Sequence, residues 1–392
     1  MKKILCALIV LTMMLGMIPV FASSPAIGIV IDGVRVNSDV APVVRNGTTL
    51  VPVRVVSEAL GAMVSYDVRA KTVTIDTAAV HIVLTIGSRT ALVNGVPMVM
   101  LKPVETIRNR TMIPLRFVSE AIGAQVRYAN NTATINYFTT VSGTVKAGGS
   151  STVAPIGQSA ADELMKMSSV VSVSYASSGS GNGIKGAIDG SFNVGASSRE
   201  LTDAEKAANP DLKVFPVAID GIAIIVHKNN PIAGLTKDQI KSIFLGETTN
   251  WKDVGGANAP IFVQTRESVA GTLASFVELV LGKDASGKML TVVSTATPFV
   301  TNGLVKEAVA GQVNAIGFVS MGYVDASVKA VTVNGIAATV ANLKNATYPI
   351  RRTLDVMTKG MPIGATAVYI DFIRSTKVQA IAEKEGYLSI RE

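Results

Sequence analysis

Thr265-Arg266-Glu267-Ser268-Val269-Ala270-Gly271-Thr272 places one arginine shortly before a Gly-Thr pair, with Leu273, Phe276 and Val277 following at helical spacing. These are the parts of an anion-holding loop. The guanidinium offers a planar fork of donors matched to an oxyanion. Glycine admits close backbone approach, and the helix that follows leaves N–H groups unpaired at its positive end. Three further Gly/Ser/Thr clusters share this build. Ser150-Ser151-Thr152 precede a helix predicted from about Ile156. Residues 177–183, with Ser180 among them, follow a strand predicted over 170–175 and precede a helix predicted from Ile184. Gly195-Ala196-Ser197-Ser198-Arg199 leads to a helix whose start is marked by Thr202 and Glu205, a capping-box pair. One such loop is an ordinary helix cap. Four that converge make a dry pocket for a small tetrahedral anion, with serine and threonine hydroxyls as compact donors.

Each loop sits at a strand-to-helix junction, so the elements behind them read as α/β. The chain has 392 residues, enough for two or three domains with sizeable cores. Its 48% hydrophobic and 16% charged content argues against long disordered tails. Lys2 and Lys3 precede an apolar run over 4–20, and Val20-Phe21-Ala22 supplies small residues for cleavage, so residues 1–22 read as a secretory signal peptide. An uncleaved anchor is the alternative, because the run is near spanning length. Cys6 is the only cysteine and lies in that segment, which leaves the mature chain no disulfide, thiolate nucleophile or Cys-based metal site. It sits too early, behind too short a basic region, to be a convincing lipid-attachment cysteine. Loss of Lys2 and Lys3 lowers the formal charge from +8 to +6, a mild excess suited to an anionic envelope surface or ligand. Scattered basic residues and 5% aromatics argue against nucleic acid. Two histidines, neither beside a serine or acidic motif, give little for an enzyme to work with. His81 reads as a strand residue and His227 as a strand-end or hinge residue; no acidic spacing suggests a metal.

Before the loops lies an internal repeat. "GTTLVPVRVVSEALGAMVSYD" (47–67) returns as "NRTMIPLRFVSEAIGAQVRYA" (109–129), an offset of 62 residues that also maps Asp32-Gly33 onto Asn94-Gly95. Each copy reads as a β-α-β-β unit packing on its twin, with Arg54 and Arg116 in matching structural places. These repeats resemble the stalk-like domain first named from the N-terminal domain of copper amine oxidases and found on bacterial envelope proteins; "LVPVRVVSEALGA" carries the likeness. The name implies no copper here, since His81 has no second soft ligand near it.

From about Val145 onward the chain resembles the phosphate-binding receptors of bacterial phosphate ABC transporters. Beyond the four loops, the likeness rests on "TKDQIKSIFLGETTNWKDVGG" (236–256), "NAIGFVSMGYVD" (314–325) and "YPIRRTLDVMTKG" (348–360). It implies a two-lobed periplasmic-binding-protein-like (type II) α/β fold, preceded by the small α+β domain of two repeats. The expected division is a repeat domain over 24–138, a linker over 139–145 and a receptor over 146–392. One lobe is expected from about 146–218 with 326–392, the other from about 219–325. Carried over by motif, the phosphate-binding residues are Ser151, Thr152, Ser180, Ser198, Arg266, Gly271 and Thr272, with no catalytic residue, metal or cofactor. The implied partners are inorganic phosphate and a membrane permease, with an envelope polymer for the stalk, and the implied location is secreted, at the cell envelope.

Two positions depart from the family pattern. Ser198 stands where the third loop often has an aspartate, and Ala270 where the fourth has a serine. An aspartate beside the anion demands a ligand proton and so rejects sulfate, whereas a serine accepts or donates. Ser268 is placed to replace the hydroxyl lost at Ala270. Arg199 either adds a second charge or, as preferred, points to solvent. These departures keep two alternatives open: a less selective oxyanion-binding or phosphate-sensing protein, and a structural envelope protein with a degenerate binding half.

Overall fold

Proline ends the leading strand of each repeat and opens the helix behind it. In the computed structural model, which describes residues 27–391, strand Thr48–Pro52 runs into helix Val53–Ala59, and strand Arg110–Pro114 into helix Leu115–Ile122. Proline's fixed φ suits the turn, and its missing N–H breaks no helical bond there. Strands Met63–Asp67 and Thr72–Asp76 complete the first unit, Gln125–Ala129 and Thr132–Asn136 the second. The leading strands pair antiparallel, Met112 opposite Pro52 and Pro114 opposite Leu50, so the twins share a seam. Asp32-Gly33 and Asn94-Gly95 both take positive φ at two-residue hairpin turns, the conformation such turns require. The signal-peptide segment and Cys6 lie outside the described residues. No helix among the described residues is long and apolar enough to cross a membrane.

The second half is built on one nine-stranded sheet. Its path runs Val171–Ser177, Gly143–Gly149, Val194–Ser197, Arg351–Lys359, Leu212–His227, Ala315–Ser320, Phe262–Arg266 and Thr297–Phe299, with Val328–Ala330 also against Leu212–His227. Strand Leu212–His227 has sixteen residues and belongs to two cores. Phe215, Val217 and Ala218 pack with Val145, Leu164 and Val356 of the first lobe; Ile222 to Val226 pack with Phe244, Phe276 and Phe318 of the second. Arg351–Lys359 returns beside it antiparallel, and a register shift between Pro216 and Ala218 loosens the pair where it passes between lobes. The chain therefore crosses between lobes twice, on neighbouring strands.

Two expected boundaries move. Residues 328–350 belong to the second lobe: Val328 pairs with His227, Thr332 with Gly234, and Leu343, Tyr348 and Ile350 are in the second core. The return occurs at Arg351, not near 326, because from there the chain runs back along residues 212–221 of the crossing strand into the first lobe. The stretch expected as a linker over 139–145 is no loose tether either. Its first-lobe strand already starts at Gly143, and Tyr137 and Phe138 just before it are buried.

That burial is part of a seam joining the stalk to the first lobe. The Asp371 carboxylate accepts from the Ala78 N–H and the Tyr137 hydroxyl, both at 2.7 Å. Phe138 packs edge-on against Phe372 at 4.9 Å. Arg391 donates to the carbonyls of Ala62 and Arg374. Gly61, at φ +85°, lies so close that a Cβ there would sit 2.0 Å from the Asp371 carbonyl oxygen. A single apolar core runs from Ile29 in the stalk to Tyr387 in the first lobe.

Candidate functional site

All seven residues singled out from the loops come together between the lobes, and each is buried. Ser151 and Thr152 lead into helix Ala154–Met167. Ser180 is the first residue of helix Ser180–Asp189, which opens four residues earlier than the expected Ile184 and so brings the hydroxyl to the helix end itself. Ser198 follows strand Val194–Ser197, and Gly271 and Thr272 open helix Gly271–Phe276 of the second lobe. The two last helices have no side-chain cap. By contrast, the helices at Asp203 and Lys237, away from the cleft, carry full capping boxes from Thr202/Glu205 and Thr236/Gln239. At the Ser180 and Gly271 helix starts no side chain takes up the N-terminal donors.

The lobes touch through these residues. Thr152 Oγ1 lies 3.1 Å from Thr272 Oγ1, and the Gly181 N–H donates to the Val269 carbonyl at 3.0 Å. Ser180 Oγ is 3.3 Å from Ser198 Oγ. A Cβ on Gly271 would stand 2.1 Å from Ser180 Oγ and 2.7 Å from Ser198 Oγ, so only glycine lets the second-lobe helix close onto the first-lobe serines.

Arg266, 2% exposed, ends strand Phe262–Arg266. Its Nε donates to the Phe299 carbonyl at 3.1 Å and Nη2 to the Val300 carbonyl at 2.6 Å and Ser151 Oγ at 3.1 Å. Nη1 reaches Thr272 Oγ1 at 3.4 Å. Among the described residues it forms no ion pair with a carboxylate. Burial, helped by Arg352, pulls its pKa down to about 10, so it stays charged at neutral pH.

The sequence pattern missed a second arginine. Arg352, within "YPIRRTL", lies directly opposite Asp220 on the two crossing strands. It donates to Asp220 Oδ2 from Nε at 3.0 Å and Nη2 at 2.8 Å. The same Nη2 lies 3.2 Å from both Thr152 Oγ1 and Thr272 Oγ1, and Nη1 donates to the Ser198 carbonyl at 3.1 Å. Asp220 is fully buried; desolvation pushes its carboxyl up, opposed by Arg352, Ser320 and the Met321 N–H. Asn302 was missed as well. Its amide reaches Thr152 Oγ1 at 3.0 Å and Ser151 Oγ at 3.4 Å. The motif was visible for Arg352; for Asn302, one residue after a capping Thr301, there was no signal beyond the helix start.

Three side chains lie elsewhere. Arg199 neither joins the cleft nor faces open solvent: it pairs with Glu205 at 2.7 and 2.8 Å. Ser268 is exposed and supplies no hydroxyl in place of Ala270. His227 ends its strand, accepting the Asn229 N–H at 3.1 Å. Among the described residues no group of three or more His, Cys, Asp or Glu side chains is placed to hold a metal.

Residues 138–377, more than half the chain, match the PBP superfamily domain. The chain belongs to the PBP superfamily. Residues 30–137 match the copper amine oxidase N-terminal domain. Within the PBP superfamily, similar proteins include the phosphate-binding protein PstS of Pseudomonas aeruginosa, 30% identical over 72% of this chain and 94% of that one. Another is the PstS of Bacillus subtilis, 28% identical over 64% of this chain and 82% of its relative. Among solved structures, a phosphate ABC transporter substrate-binding protein with bound phosphate from Clostridium perfringens is 38% identical, with a TM-score of 0.60, over 64% of this chain and all of that one. An ABC-type phosphate transport receptor from Vibrio cholerae is 32% identical at TM-score 0.54. The two-lobed fold is thus that of the phosphate-binding members of this PBP superfamily.

Proposed function

We propose that this chain is an extracytoplasmic receptor that captures inorganic phosphate between its lobes and delivers it to an ABC transporter permease. The observation that carries the reading is Arg266, a buried guanidinium with no carboxylate partner among the described residues. A charge removed from water without a counter-ion is strongly disfavoured, and an oxyanion in the cleft completes the pair. Ser151, Thr152, Ser180, Ser198, Gly271 and Thr272 are the proposed remaining contacts, with donors contributed by both lobes. Ligand and closure would then stabilise each other, and the closed form is what a permease would read. The family is one of substrate-binding proteins rather than enzymes.

The stalk repeats are proposed to hold or space the receptor at the cell envelope, against an envelope polymer. Their firm seating on the first lobe supports a spacing role. Co-sedimentation of the intact chain with isolated cell wall is expected; a chain left wholly in the supernatant would remove that role.

Thermal unfolding of the full chain, dialysed free of anions, tests the receptor reading. Phosphate should raise the melting temperature in step with concentration, and Arg266→Ala should unfold cooperatively without responding. A wild-type chain indifferent to phosphate would overturn it.

A further inference from the structure

The hydroxyls of the cleft are crowded by donors and have few free acceptors beside them. A hydroxyl has one proton and two lone pairs. Thr152 Oγ1 is addressed by the Arg352 guanidinium at 3.2 Å and the Asn302 amide at 3.0 Å. Thr272 Oγ1 is addressed by Arg352 at 3.2 Å and Arg266 at 3.4 Å. Ser151 Oγ is addressed by Arg266 at 3.1 Å and Asn302 at 3.4 Å. Thr152 and Thr272 can share one proton across their 3.1 Å gap, but with each oxygen already facing two donors, the Ser151 proton and at least one threonine proton are left to donate outward.

The nearby acceptors each already receive at least one donor. The Asp220 carboxylate receives Arg352 twice, the Ser320 hydroxyl at 2.8 Å and the Met321 N–H. The Ser198 carbonyl receives Arg352 and the Ser275 hydroxyl at 3.0 Å, and the Val300 carbonyl receives Arg266. Ser180 and Ser198 do not redress the balance. The Ser198 N–H donates to Ser180 Oγ at 3.0 Å, and whichever hydroxyl donates across their 3.3 Å gap, one proton is left over. An open lone pair remains on Ser198 Oγ, on a group that can also turn and donate.

We propose that the cleft demands no proton of its ligand, and so binds the fully deprotonated tetrahedral oxyanion sulfate as well as phosphate. The proposal rests on the oxyanion-receptor reading above and adds its specificity. Rejecting sulfate takes a fixed acceptor that is left unpaired unless the ligand brings a proton. No side chain named in this cleft is such an acceptor. Ser198 accommodates a phosphate proton when there is one and donates when there is none.

Isothermal titration of the anion-free full chain with sodium phosphate and, separately, sodium sulfate at neutral pH is the test. Dissociation constants within about tenfold of each other are expected, a gap of at most about 1.4 kcal/mol. Phosphate binding with sulfate weaker by more than about a hundredfold would overturn the specificity while leaving the receptor intact. Binding of neither would overturn the receptor reading and the proposal together. Ser198→Asp supplies the gain-of-selectivity arm. Shown folded by circular dichroism, it should lose sulfate at least about tenfold more than phosphate, since an unpaired buried acceptor is costly. Equal losses would count against the mechanism. If Ser198→Asp does not fold, the wild-type sulfate titration still decides.

Discussion

The stalk and the cleft both rely on arginine, and they place it in opposite surroundings. Arg54 and Arg116 occupy the same position in successive repeats, 5.7 and 5.4 Å above the rings of Tyr66 and Tyr128, each beside the glutamate one turn on. Their side chains are 38% and 51% exposed, and Arg116 also ties its helix to the Val126 carbonyl. Arg266 and Arg352 are buried, and only one of them has a carboxylate. A charge met by solvent and a local partner organises a fold; Arg266, buried among cleft hydroxyls without a carboxylate, is placed to suit an anion. Duplication reports the first kind, because a scaffold feature is copied with the scaffold. The cleft arginines have no counterpart in any repeat.

The largest expected effect breaks this contrast directly. Arg266→Ala should weaken oxyanion binding by at least about a hundredfold, since charge-assisted hydrogen bonds contribute about 1.5–3 kcal/mol each. Arg116→Ala should leave binding unchanged in the same calorimetric titration. A comparable loss in both would erase the distinction drawn here.

Next comes the seam. Gly61→Val forces a side chain into the Asp371 carbonyl at a φ of +85°, with an expected loss of about 2–4 kcal/mol in denaturant unfolding. Protease should then cut near residues 139–142 in the variant first. Anion binding by the folded fraction should persist, because no stalk residue enters the cleft.

A pH effect of intermediate size belongs to Asp371. Burial lifts its carboxyl from 3.8 to about 6, opposed by Tyr137, the Ala78 N–H, Arg374 and Arg391. A raised carboxyl favours the folded, docked state when protonated. The stability is therefore complete below pH 4 and is lost as the pH rises through 6, by up to about 3 kcal/mol. Asp371→Asn should remove that slope between pH 4 and 7.5 in thermal melts, leaving the stability of the variant flatter than wild type. The smallest effect is the stability change for Arg116→Ala, at most about 1 kcal/mol for an exposed ion pair and ring contact, read from urea unfolding.

How much of this was legible beforehand follows the range of the signal. The repeat units could be read because strand, proline, helix and glycine lie consecutively and recur. The loop residues could be read because small hydroxyl residues before a helix are a local pattern; Ser180 meets Ser198, and Thr272 meets Thr152. Asp220 carries no local mark and Arg352 only a motif without a role, and their pairing exists because strands far apart in sequence lie in register. The lobe boundary was misplaced for a similar reason. Nothing in residues 326–350 shows that the chain stays with the second lobe until Arg351. The supposed linker was misread because small polar residues look alike whether they float or lead into a buried strand.

The seam gives the molecule a fixed frame of reference. With the stalk set into the first lobe's core, anything grasped by the stalk also holds that lobe, and the second lobe is joined to this frame through the crossing strands. A chip coupled through the exposed Val96 hairpin, with a fluorophore on the exposed Lys288 turn of the second lobe, would report anion arrival as displacement against a stationary base. Engineered in this way, the stalk would serve as the mounting bracket of an anion sensor.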